Sequence, residues 1–273
     1  MLDKKKIGFI GAGLMAEAIA RGLLKAGVVP ARVSASDPDE SRRELFSKNL
    51  GIAAGVENRS VAESSDVIIL AVKPYIIPDV LAEIGGLLKP CQLVISIAAG
   101  ITIDSIQDKL QAKVPIIRAM PNTPCLIGEG AVAIAPGKYA SSAHMDIANQ
   151  IFSSVGKVVQ VSEDKLDAVT GLSGSGPAYV YTFIEALIDG GVKVGLPRET
   201  ALMLAAQTVV GAARMVLDTG EDPAKLRDHV MTPGGTTVAG MAVLESSDFR
   251  SATIEAVTAA TNRAAEMGKQ NKD

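Results

Sequence analysis

Between residues 7 and 161 the chain alternates two periodicities. Short β-branched and aliphatic runs at 7–10, 33–35, 67–71, 93–97, 116–119, 131–135 and 158–161 are separated by stretches in which apolar residues return every three or four positions. The runs predict strands and the intervening stretches predict helices. Because the strands are almost continuously apolar, both of their faces are expected to be buried, which predicts a mostly parallel sheet with helices on either side.

Beyond about residue 163 the strand signals stop. The pattern then predicts helices over 177–193, 197–219, 223–229, 237–245 and 250–267, three of them opening with a proline at or near the first turn, and Gly220 stands where a helix C-cap is expected. Two domains follow, at 1–162 and 163–273. The polar end, 268–273, reads as a frayed tail.

The first strand runs straight into Gly11, Gly13 and Ala16, spaced as G-x-G-x-x-G/A at the head of an amphipathic helix. In that context Gly11 permits a tight turn, Gly13 lets a pyrophosphate approach the backbone, and Ala16 lets helix and strand pack closely. Unpaired N–H groups at the helix start then hold phosphates. The first domain is accordingly expected to be a Rossmann-type dinucleotide-binding domain.

About 20 residues on, where ribose selectivity is usually decided, the second strand ends in Ser36-Asp37. An acid there would favour NAD, whereas a small hydroxyl with nearby arginines would admit the 2′-phosphate of NADP. Ser36 is placed at the deciding position, with Arg42 and Arg43 on the next helix, so NADPH is expected to be preferred with NADH as the alternative; Asp37 could also simply cap that helix. Ala71-Val72-Lys73-Pro74 and Ala98-Ala99-Gly100 end later strands, on the edge where parallel sheets bind ligands. Their plain readings are a solvated lysine and a tightly packed turn.

Composition narrows the field. With 27 Lys plus Arg against 30 Asp plus Glu and the basic residues scattered, no nucleic-acid partner is expected. No uninterrupted apolar run approaches the roughly 20 residues of a membrane span, and the start passes directly into the glycine turn without a signal-peptide pattern. A cytoplasmic protein that engages no membrane is expected. Cys91 and Cys125 form no paired framework, and Cys125 reads as a packed thiol. His144 and His229 stand apart, without a ligand cluster around them, so no metal site is expected.

The block Asp167-Ala168-Val169-Thr170-Gly171-Leu172-Ser173-Gly174-Ser175-Gly176-Pro177-Ala178-Tyr179 resembles the pyrroline-5-carboxylate reductase family. So does Met231-Thr232-Pro233-Gly234-Gly235-Thr236-Thr237, followed by Val243-Leu244-Glu245 and Phe249-Arg250, and FIGAG, AVKP, AAGITI, MPNTP and GGVKVGLPR stand in the family's order. The resemblance covers essentially the whole chain. It implies reduction of the imine of L-1-pyrroline-5-carboxylate to L-proline, the last step of proline biosynthesis, with hydride from NAD(P)H. By motif, it implies cofactor contacts from Ile10, Gly11, Ala12, Gly13, Leu14, Met15, Ser36, Asn58, Ala71, Val72, Lys73, Pro74, Ala98 and Ala99. Thr232, Gly235, Thr236 and Thr237 would hold the substrate, with Thr237 beside the ring nitrogen as the proposed proton donor.

Hydride transfer to an imine carbon needs no nucleophile or metal, because the nicotinamide carries the hydride. The amides of Gly234-Gly235-Thr236 precede a helix and suit a carboxylate, although a plain capped turn would read the same way. Two rivals share the glycine turn: a β-hydroxyacid or 6-phosphogluconate type dehydrogenase, which would rely on a lysine such as Lys193, and a nucleotide-sensing protein without turnover. Finally, the helix at 197–219 is apolar around its whole circumference, which predicts an all-α dimerisation domain and a homodimer, with assembly into a larger oligomer as a further option.

Overall fold

The computed structural model describes residues 2–270. Strands β1 (Ile7–Ile10), β2 (Val33–Ser36), β3 (Ala53–Gly55), β4 (Val67–Leu70), β5 (Leu93–Ser96), β6 (Ile116–Met120), β7 (Gly130–Pro136) and β8 (Gly156–Gln160) form one sheet in the order β3-β2-β1-β4-β5-β6-β7-β8. Helices α1 (Leu14–Lys25), α2 (Glu40–Glu44), α3 (Asn58–Ser64), α4 (Ile77–Ile84), α5 (Ile103–Gln107) and α6 (Ser142–Ser153) lie between them.

The pleat sorts the apolar strands onto two cores. Ile7, Phe9, Val67, Ile69, Leu93 and Ile95 share one core with Ala16, Ile19 and Leu23 of α1 and Ile151 and Phe152 of α6. Ile68, Leu70 and Val94 join Val80, Leu81 and Ile84 of α4 in the other. Each such side chain is worth about 1.5–3 kcal/mol of transfer free energy, so exposing either face would cost far more than a domain's net stability.

The sheet is mostly parallel, as expected, with one strand added and one pairing reversed. Strand β3 was not foreseen, because Ala53-Ala54-Gly55 offers no branched residue and sits at the edge, paired in parallel with Ser34, Ala35 and Ser36. Strand β7 runs antiparallel to β6, the single exception to parallel pairing among the described strands. The link between them contains only a short turn over Thr123–Ile127, too little chain for a helical crossover.

The chain divides into two compact units, one made of residues up to Ser175 together with those from Ala259 onward, the other of Gly176–Thr258. The sheet unit therefore extends past residue 162. Leu166 of α7 (Leu166–Val169) buries itself against Ala133 and Ala135 of β7, and Glu163 pairs with Arg118 of β6 at 3.3 Å.

The second unit holds α8 (Gly176–Lys193), α9 (Arg198–Thr219), α10 (Pro223–His229), α11 (Thr236–Ser246) and the first part of α12 (Phe249–Gln270). Helix α12 continues past the expected end at 267, and residues 271–273 of the expected tail lie outside the described residues. Gly220 ends α9 in the left-handed conformation, at φ 67°, as the C-cap reading requires. Helices α8 and α9 meet at Ile188, Ala201 and Ala205. Helix α9 is also, among the described residues, the one helix long and apolar enough to cross a membrane by length and composition. Gln207 and Arg214 interrupt it, which is why a search for unbroken apolar runs passes over it.

Candidate functional site

At the carboxyl edge of the sheet the backbone ladder continues past the strand ends. Gly11 donates its N–H to the Ser36 carbonyl at 2.8 Å, Ala71 to Ile10 at 2.8 Å, and Ile97 to Leu70 at 3.1 Å. The segments after β1, β2, β4 and β5 thus share one edge. Gly11 adopts φ 94°, and a Cβ there would lie 2.9 Å from the Ala71 carbonyl carbon and oxygen, so only glycine fits. Gly13 differs: a Cβ on it would meet nothing within 4 Å.

Gly13 is the N-cap of α1 and, among the described residues, no side chain caps that helix. The amides of Leu14, Met15 and Ala16 are therefore available at an open, positively polarised helix start. An open approach over Gly13 beside these amides is what a pyrophosphate needs, so the residues present fit a dinucleotide. Ala16 is 1% exposed and packs inward, as the third small position of the motif requires.

The end of β2 is built differently from the sequence-based placement. The Ser36 side chain is buried, 1% exposed, and donates to Asn58 Oδ1 at 2.8 Å; Asn58 in turn donates to Glu83 at 2.7 Å. Asp37 stands beside the glycine turn, its Oδ2 accepting the Ala12 N–H at 2.7 Å and its Oδ1 the Asp39 N–H at 2.9 Å. Arg42 donates Nε to the Ala12 carbonyl at 2.6 Å and Nη2 to Glu17 at 2.8 Å, while Arg43 donates to the Asp37 and Pro38 carbonyls. Burial pushes the Glu17 carboxyl up, but the hydrogen bonds and charges of Arg42 and Arg21 outweigh it and hold the group below the usual carboxylate range.

Val72 and Ala71 are half-buried at the edge, Lys73 is exposed, and Pro74 opens a short turn leading into α4. Ala98 is buried and Ala99 half-buried after β5. The MPNTP segment is structural: Asn122 accepts the Ala131 N–H at 2.9 Å and donates to the Ser173 carbonyl at 3.0 Å, tying the Ser-Gly-Ser-Gly block to the sheet unit. A Cβ on Gly174 would lie 2.8 Å from Met120 Cε, so a side chain there requires the Met120 end to move aside. Burial pushes the Cys125 thiol up, away from the reactive thiolate, in keeping with a packed residue.

In the second unit the turn before α11 is shaped by Gly234, at φ 70°, and closed by the Gly235 N–H bonding the Thr232 carbonyl at 2.9 Å. A Cβ on Gly235 would collide with the Thr232 hydroxyl. Gly235 is the N-cap of α11, again without a side-chain cap among the described residues, so the amides of Thr236, Thr237 and Val238 are open to an anion. Thr232 and Thr236 are exposed and Thr237 is half-buried. The cofactor candidates thus belong to the sheet unit and the substrate candidates to the helical one.

Sequence reasoning passed over an ion cluster built on a buried arginine. Arg118, 5% exposed, pairs with Glu163 at 3.3 Å and lies 3.7 Å from Asp167; Glu163 also accepts the Ile103 N–H at 2.7 Å. A lone arginine inside an otherwise apolar strand, IIRAM, was the available signal.

Residues 163–267 match a family model described as pyrroline-5-carboxylate reductase dimerisation, and residues 6–100 match one described as NADP oxidoreductase coenzyme F420-dependent. The chain is 45% identical over 270 residues to a pyrroline-5-carboxylate reductase of Methanosarcina acetivorans, covering 98% of this chain and 100% of the relative. Among solved structures it is similar to a pyrroline-5-carboxylate reductase from Coxiella burnetii, with TM-score 0.92 and 40% identity, covering 96% of this chain and 98% of that one. It is also similar to the Plasmodium falciparum pyrroline carboxylate reductase with NADP bound, with TM-score 0.87 and 36% identity, covering 97% and 99%.

Proposed function

The chain belongs to the pyrroline-5-carboxylate reductase family and is a nicotinamide-dependent oxidoreductase, and we propose that it reduces L-1-pyrroline-5-carboxylate to L-proline with the site residues named above. The observation that carries the residue assignment is the pair of uncapped helix starts, at Gly13 and at Gly235, with a glycine of φ above 60° two residues before the first and directly before the second. Both are backbone anion sites, one for a pyrophosphate and one for a carboxylate.

When bound, the nicotinamide supplies the hydride that adds to the imine carbon. The chain's own residues do the rest. The glycine turn and the amides of Leu14, Met15 and Ala16 orient the dinucleotide, and the turn of Thr232, Gly235 and Thr236 holds the substrate carboxylate. The Thr237 hydroxyl faces the ring nitrogen and passes a proton to it as the C=N bond becomes CH–NH. By role, we assign residues 1–162 to the cofactor and 163–273 to the substrate and self-association, supported by the start of the dimerisation match at residue 163, while the compact sheet unit itself runs on to Ser175.

That match supports self-association, and the form we assign is a two-fold dimer. The expectation of NADPH rested on space at Ser36 and charge from Arg42 or Arg43. Ser36 is buried and bonded to Asn58, and both arginines donate to backbone carbonyls, which supports reading the choice between NADPH and NADH from Asp37 together with those arginines.

Two measurements test this reading. Purified protein given L-1-pyrroline-5-carboxylate is expected to oxidise NADH or NADPH and release one proline per dinucleotide consumed. Folded protein that makes no proline with either dinucleotide rejects the reaction. Gly13→Ala isolates the cofactor loop: because a Cβ has open space in the protein, stability should fall by no more than about 1 kcal/mol. Dinucleotide affinity should nevertheless fall roughly tenfold or more, since the methyl occupies the pyrophosphate's approach. Unchanged affinity would move the pyrophosphate elsewhere.

A further inference from the structure

We propose that Asp37 selects between the two nicotinamide dinucleotides, accepting a hydrogen bond from a free ribose 2′-hydroxyl and repelling a 2′-phosphate, so that this chain prefers NADH. The inference rests on the reading above that the glycine turn holds a dinucleotide.

The carboxylate is fixed in place before any ligand arrives. Oδ2 accepts the Ala12 N–H at 2.7 Å, in the middle of the glycine turn, and Oδ1 accepts the Asp39 N–H at 2.9 Å. The Asp37 N–H is itself bound to the Gly55 carbonyl at 3.1 Å. Two backbone bonds leave lone pairs on both oxygens of an ionised carboxylate, so it can take a further hydroxyl donor. An acid at the end of the second strand, next to the glycine turn, is where a dinucleotide's adenosine ribose is read.

The groups that would welcome a phosphate are committed elsewhere. Ser36 donates its hydroxyl to Asn58 and is shut away from solvent. Arg42 bridges the Ala12 carbonyl and Glu17, whose carboxylate neutralises it at 2.8 Å. Arg43 is folded back on the Asp37 and Pro38 carbonyls. A phosphate carrying about −1.5 to −2 charges would therefore meet the Asp37 carboxylate before it met an uncommitted cation. Like charges brought together at a binding site act as a specificity device.

The test is equilibrium binding of NADH and NADPH to the full chain without substrate, by calorimetric titration, in the wild type and in Asp37→Asn and Asp37→Ser. Wild type should bind NADH roughly tenfold tighter or more. Asp37→Asn keeps an acceptor for the Ala12 N–H while removing the charge, and should bring the two dissociation constants to within about threefold. Asp37→Ser should tighten NADPH binding beyond the wild-type value. Wild type that binds NADPH tighter, a ratio unmoved in both variants, or no binding of either dinucleotide overturns the proposal. NADPH binding tighter with proline still formed rejects only the role of Asp37; NADH binding tighter with no proline formed supports that role and rejects only the reaction.

Discussion

Thr237→Ala is expected to lower kcat by about 10²–10³-fold while leaving the dissociation constant of the dinucleotide within about twofold. Thr237 is the second residue of α11, half-buried, on a turn whose conformation is set by Gly234 and Gly235 rather than by its own side chain. Removing the hydroxyl should therefore leave the backbone donors of the turn where they are, and KM should rise far less than kcat falls. The reason is where charge changes in the reaction. As hydride reaches the imine carbon, the ring nitrogen gains a lone pair and takes a proton, so a hydrogen bond from Thr237 strengthens between ground state and transition state. Thr237→Ser, which keeps the hydroxyl, should recover most of the rate, and a merely structural threonine would not show that split. Steady-state kinetics together with calorimetric titration of the dinucleotide check both halves. An unchanged kcat in Thr237→Ala removes the residue from catalysis.

What was legible in advance follows from which interactions are local. The strand at 7–10, the turn at Gly11 and Gly13 and the helix behind them were readable because burial on both faces, a positive φ and a close backbone approach each leave a residue-level trace. Strand β3 left none: Ala53-Ala54-Gly55 gains its place by pairing with β2 at the sheet edge, not by burial. Which side chain at the end of β2 turns toward the glycine turn was equally hidden. Ser36 and Asp37 are neighbours, and strand alternation sends one inward to Asn58 and the other toward Ala12, a choice settled by register with β1. Arg118, Glu163 and Asp167 are far apart in sequence and become a cluster only when β6 and the segment after β8 pack together. The same packing carries the sheet unit past residue 162 to Ser175.

The second large effect is expected from breaking self-association. Within the helical unit the buried hydrophobic residues are Ile188, Ala201 and Ala205 among the described residues, too few to hold five helices by themselves. Helix α9 meanwhile leaves Leu202, Met203, Leu204, Val210, Met215 and Leu217 between 46 and 65% exposed. Covering such side chains is worth about 1.5–3 kcal/mol each. A second copy supplies the cover, and the match of residues 163–267 to a dimerisation model names the same segment. In a two-fold interface every substitution counts twice. A charge at Val210 or Met203 that costs about 2–3 kcal/mol per copy should weaken the dimer by about 10³–10⁴-fold. Val210→Arg and Met203→Glu are accordingly expected to shift the full chain from twice 28.2 kDa or a multiple of it to 28.2 kDa in light scattering at micromolar concentration, with loss of turnover. Leu126→Glu, an exposed apolar site in the sheet unit, is the control and should leave mass and turnover unchanged. A wild-type chain that is active at 28.2 kDa, or one that stays in solution only with detergent, would show that α9 is covered by something other than its twin.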